Sequence, residues 1–407
     1  MKLILCHTDY RIYWPARLRA LTDFLADKAI DMKIVEVAGK GSPYAFASSQ
    51  SKTGNNNWKV IYPQDSMEDI APLRASIELF KVLEGWNPDI VLAGPIAFPS
   101  GATAVRWATY RKKHVIIADN VRVADVPRNA LVNWVKRRIY ANVDAVLIPA
   151  PSHIPDYEFW GVPRERMFFG LNAIDNDFFS IRSEKARAEA QRLRSEWNLP
   201  GKFLLGVGRQ VPKKNWLTLI KAWNLHRQRY ADSSMHLVLV GNGPDRTTLE
   251  NTVRSSGLQD VHLRDFASQE DVAALYGLAH GLVLPSRHGE TWGLVVNEAM
   301  ACGLPVLVSR ECGCAATLVE EGINGWCFAP DAAEEMAACL LKLSDLSPQQ
   351  RDRMGRRSRE IIANWGLMRF CQGVLEAIGC VQRQPIRKPS FLDRAILHLW
   401  KGRYRPT

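Results

Sequence analysis

Residues 287–303 read Arg287-His-Gly-Glu-Thr-Trp-Gly-Leu-Val-Val-Asn-Glu-Ala-Met-Ala-Cys-Gly303, and this stretch decides the fold. It follows the apolar run Gly281-Leu-Val-Leu284, which reads as a buried strand. It opens a segment rich in Leu294, Val295, Val296, Ala299 and Met300, which reads as a helix. A strand thus hands a polar loop to a helix N-terminus. Backbone N–H groups there lack intrahelical partners and lie at the positive end of the helix dipole, so the position suits a phosphate or diphosphate. Gly289 and Gly293 keep side chains from blocking that approach.

Glu290 and Glu298 flank this anion seat. Eight residues of helix rise roughly 12 Å and set the two side chains about 80° apart, too far for a close carboxylate dyad. They are therefore expected to grip different groups. A nucleotide-sugar carries hydroxyls on both sides of its diphosphate, on the sugar and on the ribose, and a carboxylate can accept hydrogen bonds from each. Read alone, the pair serves equally well as ordinary helix charges, one favourably placed by the dipole.

The pair does not stand alone. Glu290-x7-Glu298 is followed by Ala-Met-Ala-Cys-Gly-Leu-Pro-Val and preceded by Gly206-Val-Gly208-Arg209-Gln-Val-Pro-Lys213-Lys214 and Gly241-Asn-Gly243-Pro; Asn324-Gly325 comes after. In order and spacing this set resembles the retaining family 4 glycosyltransferases of the GT-B fold, over residues 172 to 330. The resemblance implies an α/β protein of two Rossmann-like, doubly wound domains facing across a cleft. An acceptor-binding domain would span 1–180, a nucleotide-sugar-binding domain 181–365, and helices from about 366 would pack back on the first. It implies further that Arg209 and Lys214 clamp the diphosphate while Glu290 orients the sugar and Glu298 holds the ribose. Gly208, His288, Gly289, Thr291, Trp292 and Gly293 would line the donor. No metal and no cofactor is expected beyond the nucleoside diphosphate sugar, which is a substrate. Asp175-Asn-Asp177 has the D-x-D form that holds a metal in the other large glycosyltransferase fold, but the resemblance puts it in the interdomain linker.

The 407 residues suffice for two domains with their own cores, and 47% hydrophobic with 23% charged residues is ordinary globular composition. Met1-Lys-Leu-Ile-Leu-Cys6 is too short for a signal peptide and runs into polar His7-Thr-Asp9, so it reads as the first strand of a cytoplasmic protein. The eight cysteines show no paired C-x2-C spacing with partner histidines and read as buried thiols. A net charge of +11 calls for a polyanionic neighbour. No nucleic-acid-binding signature appears, which leaves a phosphate-bearing acceptor and an anionic membrane surface, or charge kept for solubility. Gly206-x-Gly208 lacks the third glycine of a dinucleotide fingerprint, which disfavours an oxidoreductase.

The first half alternates apolar runs at residues 3–6, 32–35, 59–62, 90–93, 115–118 and 145–148 with helix-like stretches, the pattern of a parallel sheet. Ligands in such sheets sit at the carboxyl ends of the strands. Asp9, Asp119, Asn120 and Arg122 lie at those ends and form the expected acceptor side. Family members often carry a Gly-Gly loop after the first strand and a histidine after the strand that here ends at Ala118; this chain has neither. Asp119 either contacts the acceptor hydroxyl or caps the next segment. Residues 39–57 read as a long surface loop.

Two segments carry basic amphipathic character. Pro127 to Tyr140 sets Arg128, Lys136, Arg137 and Arg138 against Leu131, Val132, Trp134, Val135 and Ile139; the tail 383–407 sets seven cations and one acid around Phe391, Leu392, Ile396, Leu399 and Trp400. Each suits either an anionic lipid interface, as in a peripheral membrane protein, or packing on the fold. The expected activity is transfer of a sugar to a lipid-linked or cell-surface polysaccharide acceptor. Its rivals are a GT-B epimerase or phosphorylase and a catalytically silent lipid- or partner-binding protein.

Overall fold

The alternating runs fold as two parallel sheets in a computed structural model that describes residues 1–40, 57–229 and 234–403. Most of the loop read at 39–57, and Arg405 of the tail, lie outside the described residues. The chain divides into two compact units: one holds Met1–Val123, Pro127–Ala173 and the chain from Leu367 onward, the other Ala124–Val126 and Ile174–Gly366.

In the first unit β1 (Lys2–His7), β2 (Asp31–Ala38), β3 (Trp58–Tyr62), β4 (Ile90–Ala93), β5 (His114–Ala118), β6 (Ala145–Ile148) and β7 (Met167–Phe169) lie in the order β3-β2-β1-β4-β5-β6-β7. Every pairing is parallel, so the crossovers place helices on both faces and the strands are apolar on both. β1 shows this directly. Ile4 and Cys6 enter one core with Trp107, Tyr140, Tyr157 and Trp160, while Leu3 and Leu5 enter the other with Phe370, Val374 and Ile378. Those last three come from the helix Leu367–Gln382, which returns to this unit after the whole of the second.

The second unit contains β8 (Phe203–Val207), β9 (His236–Val240), β10 (Val261–Arg264), β11 (Gly281–Leu284), β12 (Val306–Ser309) and β13 (Gly325–Phe328), in the order β10-β9-β8-β11-β12-β13. Leu204, Leu237, Leu239, Val283 and Leu307 pack there against Trp216, Leu219 and Trp223 of the helix Trp216–Arg229. Both sheets are thus doubly wound, as the alternation predicts.

Several local expectations are corrected. β7 and β13 are edge strands of three and four residues that the sequence reading did not single out. The charged segment around residues 183–197 is not one helix but two, Asn176–Ala188 and Ala190–Glu196, which break at Glu189. The helix after β11 begins at Leu294, with Gly293 as its N-cap at φ +111°, so Glu290 stands on the preceding turn and only Glu298 is helical. Lys136 is not on a solvated face: it is 6% exposed, with its ammonium 3.5 Å from the centroid of the Trp160 ring.

Candidate functional site

In the second sheet β8 feeds β9 and β10 on one side, while β11, β12 and β13 build outward on the other. The order reverses between β8 and β11. A crevice opens at such a point because the two following loops leave in opposite directions. The loops are Gly208 to Lys214 after β8 and Pro285 to Gly293 after β11, and they carry most of the predicted donor residues.

The first loop is shaped by close backbone approach. A Cβ on Gly241 would lie 2.0 Å from the Gly208 carbonyl oxygen, and one on Gly243 would lie 2.4 Å from that of Gln210. The Gly241-Asn-Gly243 motif therefore lets the loop after β9 lie against the loop after β8. Buried Gln210 ties the two together, donating from Nε2 to the Gly241 carbonyl at 2.8 Å. Trp216 Nε1 donates to the Arg209 carbonyl at 3.0 Å and fixes the strand end that carries Arg209.

The two loops are stitched to each other. Arg287 N–H donates to the Lys213 carbonyl at 2.8 Å. Buried Asn215, in the left-handed region at φ +58°, donates from Nδ2 to the carbonyls of Pro285 and Pro330 at 3.1 and 2.7 Å. The result brings Lys214 Nζ to 2.5 Å from Glu290 Oε2, where Ser286 Oγ also donates at 3.0 Å. Burial pushes the Glu290 carboxyl up, but the charges of Lys214 and Lys213 and the Ser286 hydroxyl outweigh it and hold the group below its ordinary value. Lys213 shifts downward, first by burial and then by the charges of Lys214 and Arg209, against the pull of Glu290. The site is thus a concentration of cations around one ionised carboxylate.

Glu298, on the helix Leu294–Ala301 that follows the turn, is 4% exposed, and its Oε2 accepts from the Tyr276 hydroxyl at 2.8 Å. His288 is exposed, and Gly289 sits at φ +87°. Trp292 is 2% exposed and donates from Nε1 to Asn297 Oδ1 at 2.8 Å, so its ring is a wall of the turn. A Cβ on Gly293 would stand 2.8 Å from Leu284 Cδ2. The structure therefore brings together Gly208, Arg209, Lys214 and the 288–293 turn and carries Glu298 on the helix that follows that turn.

Sequence reading missed Gln210, Asn215, Ser286 and Tyr276. Asn215 and Ser286 adjoin residues of the motifs, but nothing in the sequence shows which carbonyl or carboxylate they reach. It also missed Asp125, from the three-residue run that clusters with this unit. Its Oδ1 accepts from the Gly289 N–H at 3.2 Å.

The expected acceptor residues belong to the first unit. Asp9 follows β1 and Asn120 and Arg122 follow β5, with β4 between those strands, and all three are partly exposed. Asp119 is 2% exposed: Oδ2 accepts from the Tyr140 hydroxyl at 2.7 Å and Oδ1 from the Val121 N–H at 3.1 Å. Asp175 caps the helix Asn176–Ala188, its Oδ1 accepting from Phe178 N–H at 3.0 Å.

A family model described as "Glycosyl transferases group 1" matches residues 188–361, the part of the chain that holds both loops. The chain is 31% identical over 204 residues to an alpha-D-kanosaminyltransferase of Streptomyces kanamyceticus, covering 50% of this chain and 51% of that one. It thus spans about half the length of that curated relative. Among solved structures, a glycosyltransferase from Rickettsia africae superposes with a TM-score of 0.73 at 15% identity, over 94% of this chain and 99% of the other. Anabaena Alr3699/HepE, solved in complex with UDP and glucose, gives 0.70 at 16% identity over 93% and 99%. The two Rossmann-like units, each a parallel sheet flanked by helices, are those of the GT-B fold.

Proposed function

We propose that the chain is a retaining, metal-independent glycosyltransferase of the family 4 type. It would move a sugar from a nucleoside diphosphate sugar to a saccharide acceptor carried on a lipid or a cell-surface polysaccharide. The observation that carries this reading is the meeting of Lys214 with Glu290 at 2.5 Å across the β8–β11 switch point, beside the helix that starts at Leu294. The match to the glycosyl transferases group 1 model over 188–361 supports it.

The chemical demand is charge. As the bond from the anomeric carbon to the diphosphate oxygen lengthens, the sugar gains oxocarbenium character and the leaving group gains negative charge. Cations and N–H groups fixed beforehand stabilise it without reorganising. Arg209 supplies a planar fork and Lys214 a compact charge. Glu290, kept ionised by its lysines, accepts from a sugar hydroxyl and orients the ring. Glu298 accepts from the ribose and takes its orientation from Tyr276. The acceptor oxygen attacks from the face the diphosphate leaves, and its proton passes to the departing phosphate oxygen, so no protein base is required. The burial of Asp119 against Tyr140 favours a structural role for it and leaves acceptor contacts to Asp9, Asn120 and Arg122. Service of Asp175 as a helix cap supports diphosphate binding by cations and backbone.

The test is a thermal-shift panel of UDP, GDP, ADP and CMP with their sugar conjugates, because a ligand that binds only the folded state raises its apparent stability. One nucleoside diphosphate is expected to raise the transition, with Glu298→Ala abolishing the rise. Arg209→Ala is expected to lower donor turnover roughly 10²–10³-fold while retaining donor binding. No shift with any member of the panel, together with no donor turnover, overturns the assignment.

A further inference from the structure

We propose that the outer faces of the helices Ala130–Tyr140 and Phe391–Leu399 form one surface by which the first unit docks on an anionic lipid bilayer. The inference uses no residue of the donor site and stands apart from the activity proposed above.

The two helices are some 250 residues apart in sequence, and the fold makes them neighbours. Ile139 and Tyr140 of the first and Leu397 of the second enter the same core cluster, with Val135, Ile396 and Trp400 packed against it, so both lie on one side of the sheet. They join directly through Arg138, which donates from Nε to Asp393 Oδ1 at 2.7 Å and from Nη2 to Ser390 Oγ at 3.1 Å. The later helix is no loose tail. A capping box of Ser390 and Asp393 fixes its start. Beyond its end, Trp400 Nε1 donates to the Ile96 carbonyl and Arg403 N–H to that of Ala97, both at 2.7 Å.

What this docking leaves outside is apolar. Phe391 is 90% exposed, Leu399 78% and Leu131 66%, with Leu392, Trp134 and Val132 exposed between 39% and 47%. A helix that merely covers a core turns such residues inward, and here the inward face is already filled.

Charge selects the occupant. Residues 127–140 contain no acid, and residues 383–403 contain only Asp393, which is 6% exposed and engaged by Arg138 and by its own cap. Within and beside these two segments Arg137, Arg383, Lys388, Arg394 and Arg403 are exposed cations. A second copy of this face would bring like charges together, and a nucleic acid would leave the aliphatic and aromatic side chains without partners. An acidic bilayer satisfies both: head groups meet the cations, and Phe391, Leu399 and Trp134 enter the boundary of the acyl region.

The test is flotation of the full chain with vesicles of pure phosphatidylcholine and of an equal mixture with phosphatidylglycerol. Binding is expected to the mixed vesicles alone and to weaken with added salt. A Phe391→Ser, Leu399→Ser double variant and a Lys388→Glu, Arg394→Glu double variant are each expected to lose roughly tenfold or more in vesicle affinity. All four positions are exposed, so both variants are expected to keep the parent's thermal transition. Absence of binding to the mixed vesicles, or equal binding to both kinds, overturns the proposal. So does a concentration-dependent dimer that Phe391→Ser, Leu399→Ser abolishes, which would give the face to a second copy.

Discussion

Glu36, Glu290 and Glu298 meet three different fields. Glu290 has lysines beside it and stays ionised, and Glu298 accepts from the Tyr276 hydroxyl. Glu36 is 0% exposed on β2, accepting from Tyr10 N–H at 3.0 Å and Trp58 Nε1 at 3.3 Å. Burial pushes its carboxyl up to about 7, with Asp9 adding to the rise against the Tyr10 and Trp58 hydrogen bonds and the Arg11 charge. The folded state therefore binds this proton more tightly than the unfolded chain does. Its contribution to stability is full below the unfolded value and declines as pH rises through about 7, by about 3 kcal/mol in all. Glu36→Gln removes that titration. Urea midpoints taken from pH 5 to 8 should fall less steeply for the variant than for the parent, and equal slopes would contradict the argument.

At the scale of elements, the proposed donor site is a product of where loops can touch. The loop after β9 reaches the loop after β8 only because Gly241 and Gly243 bring no side chain. Gly241→Ala puts a methyl 2.0 Å from the Gly208 carbonyl oxygen at φ +142°. It is expected to cost about 1–3 kcal/mol or more and to blunt the nucleotide-induced thermal shift, because the strand end carrying Arg209 must move. Gly257→Ala is the control. At φ +66° with nothing within 4 Å, it meets backbone strain alone, costs about 1–2 kcal/mol, and leaves the nucleotide response intact. The turn Pro285 to Gly293 teaches a related lesson. Placing Glu290 on a turn before the Gly293 cap lets its side chain face Lys214, a direction that a regular helix over 287–303 does not give.

At the scale of the molecule, chain order and spatial order disagree. The second unit is nearly continuous, from Ile174 to Gly366, whereas the first needs its last segment: Phe370, Cys371, Val374, Ala377, Ile378 and Val381 fill one of its two cores. A fragment of residues 174–366 is expected to melt cooperatively and to keep the nucleotide shift. A fragment of residues 1–173 is expected to show no cooperative transition, since helix 367–382 supplies one wall of its core. Circular-dichroism melts of both fragments check this, and a sharp transition in the second would show that the returning helix is dispensable.

The sequence by itself determined the two doubly wound sheets, because buried parallel strands must be apolar on both faces and their crossovers must show helical spacing; the six apolar runs of the first half and Gly281–Leu284 are legible on that ground. It also showed which residues would meet at the switch point, since Gly206 to Lys214 and Arg287 to Gly303 are local motifs. Tertiary structure alone decided the partners. Whether Lys136 meets solvent or the Trp160 ring, and whether Asp119 meets a ligand or Tyr140, depends on groups many residues away that no local period encodes. The same holds for the helices Ala130–Tyr140 and Phe391–Leu399. Each segment is amphipathic when read alone, but their juxtaposition exists only because the fold brings the segment after Leu367 back to the first unit.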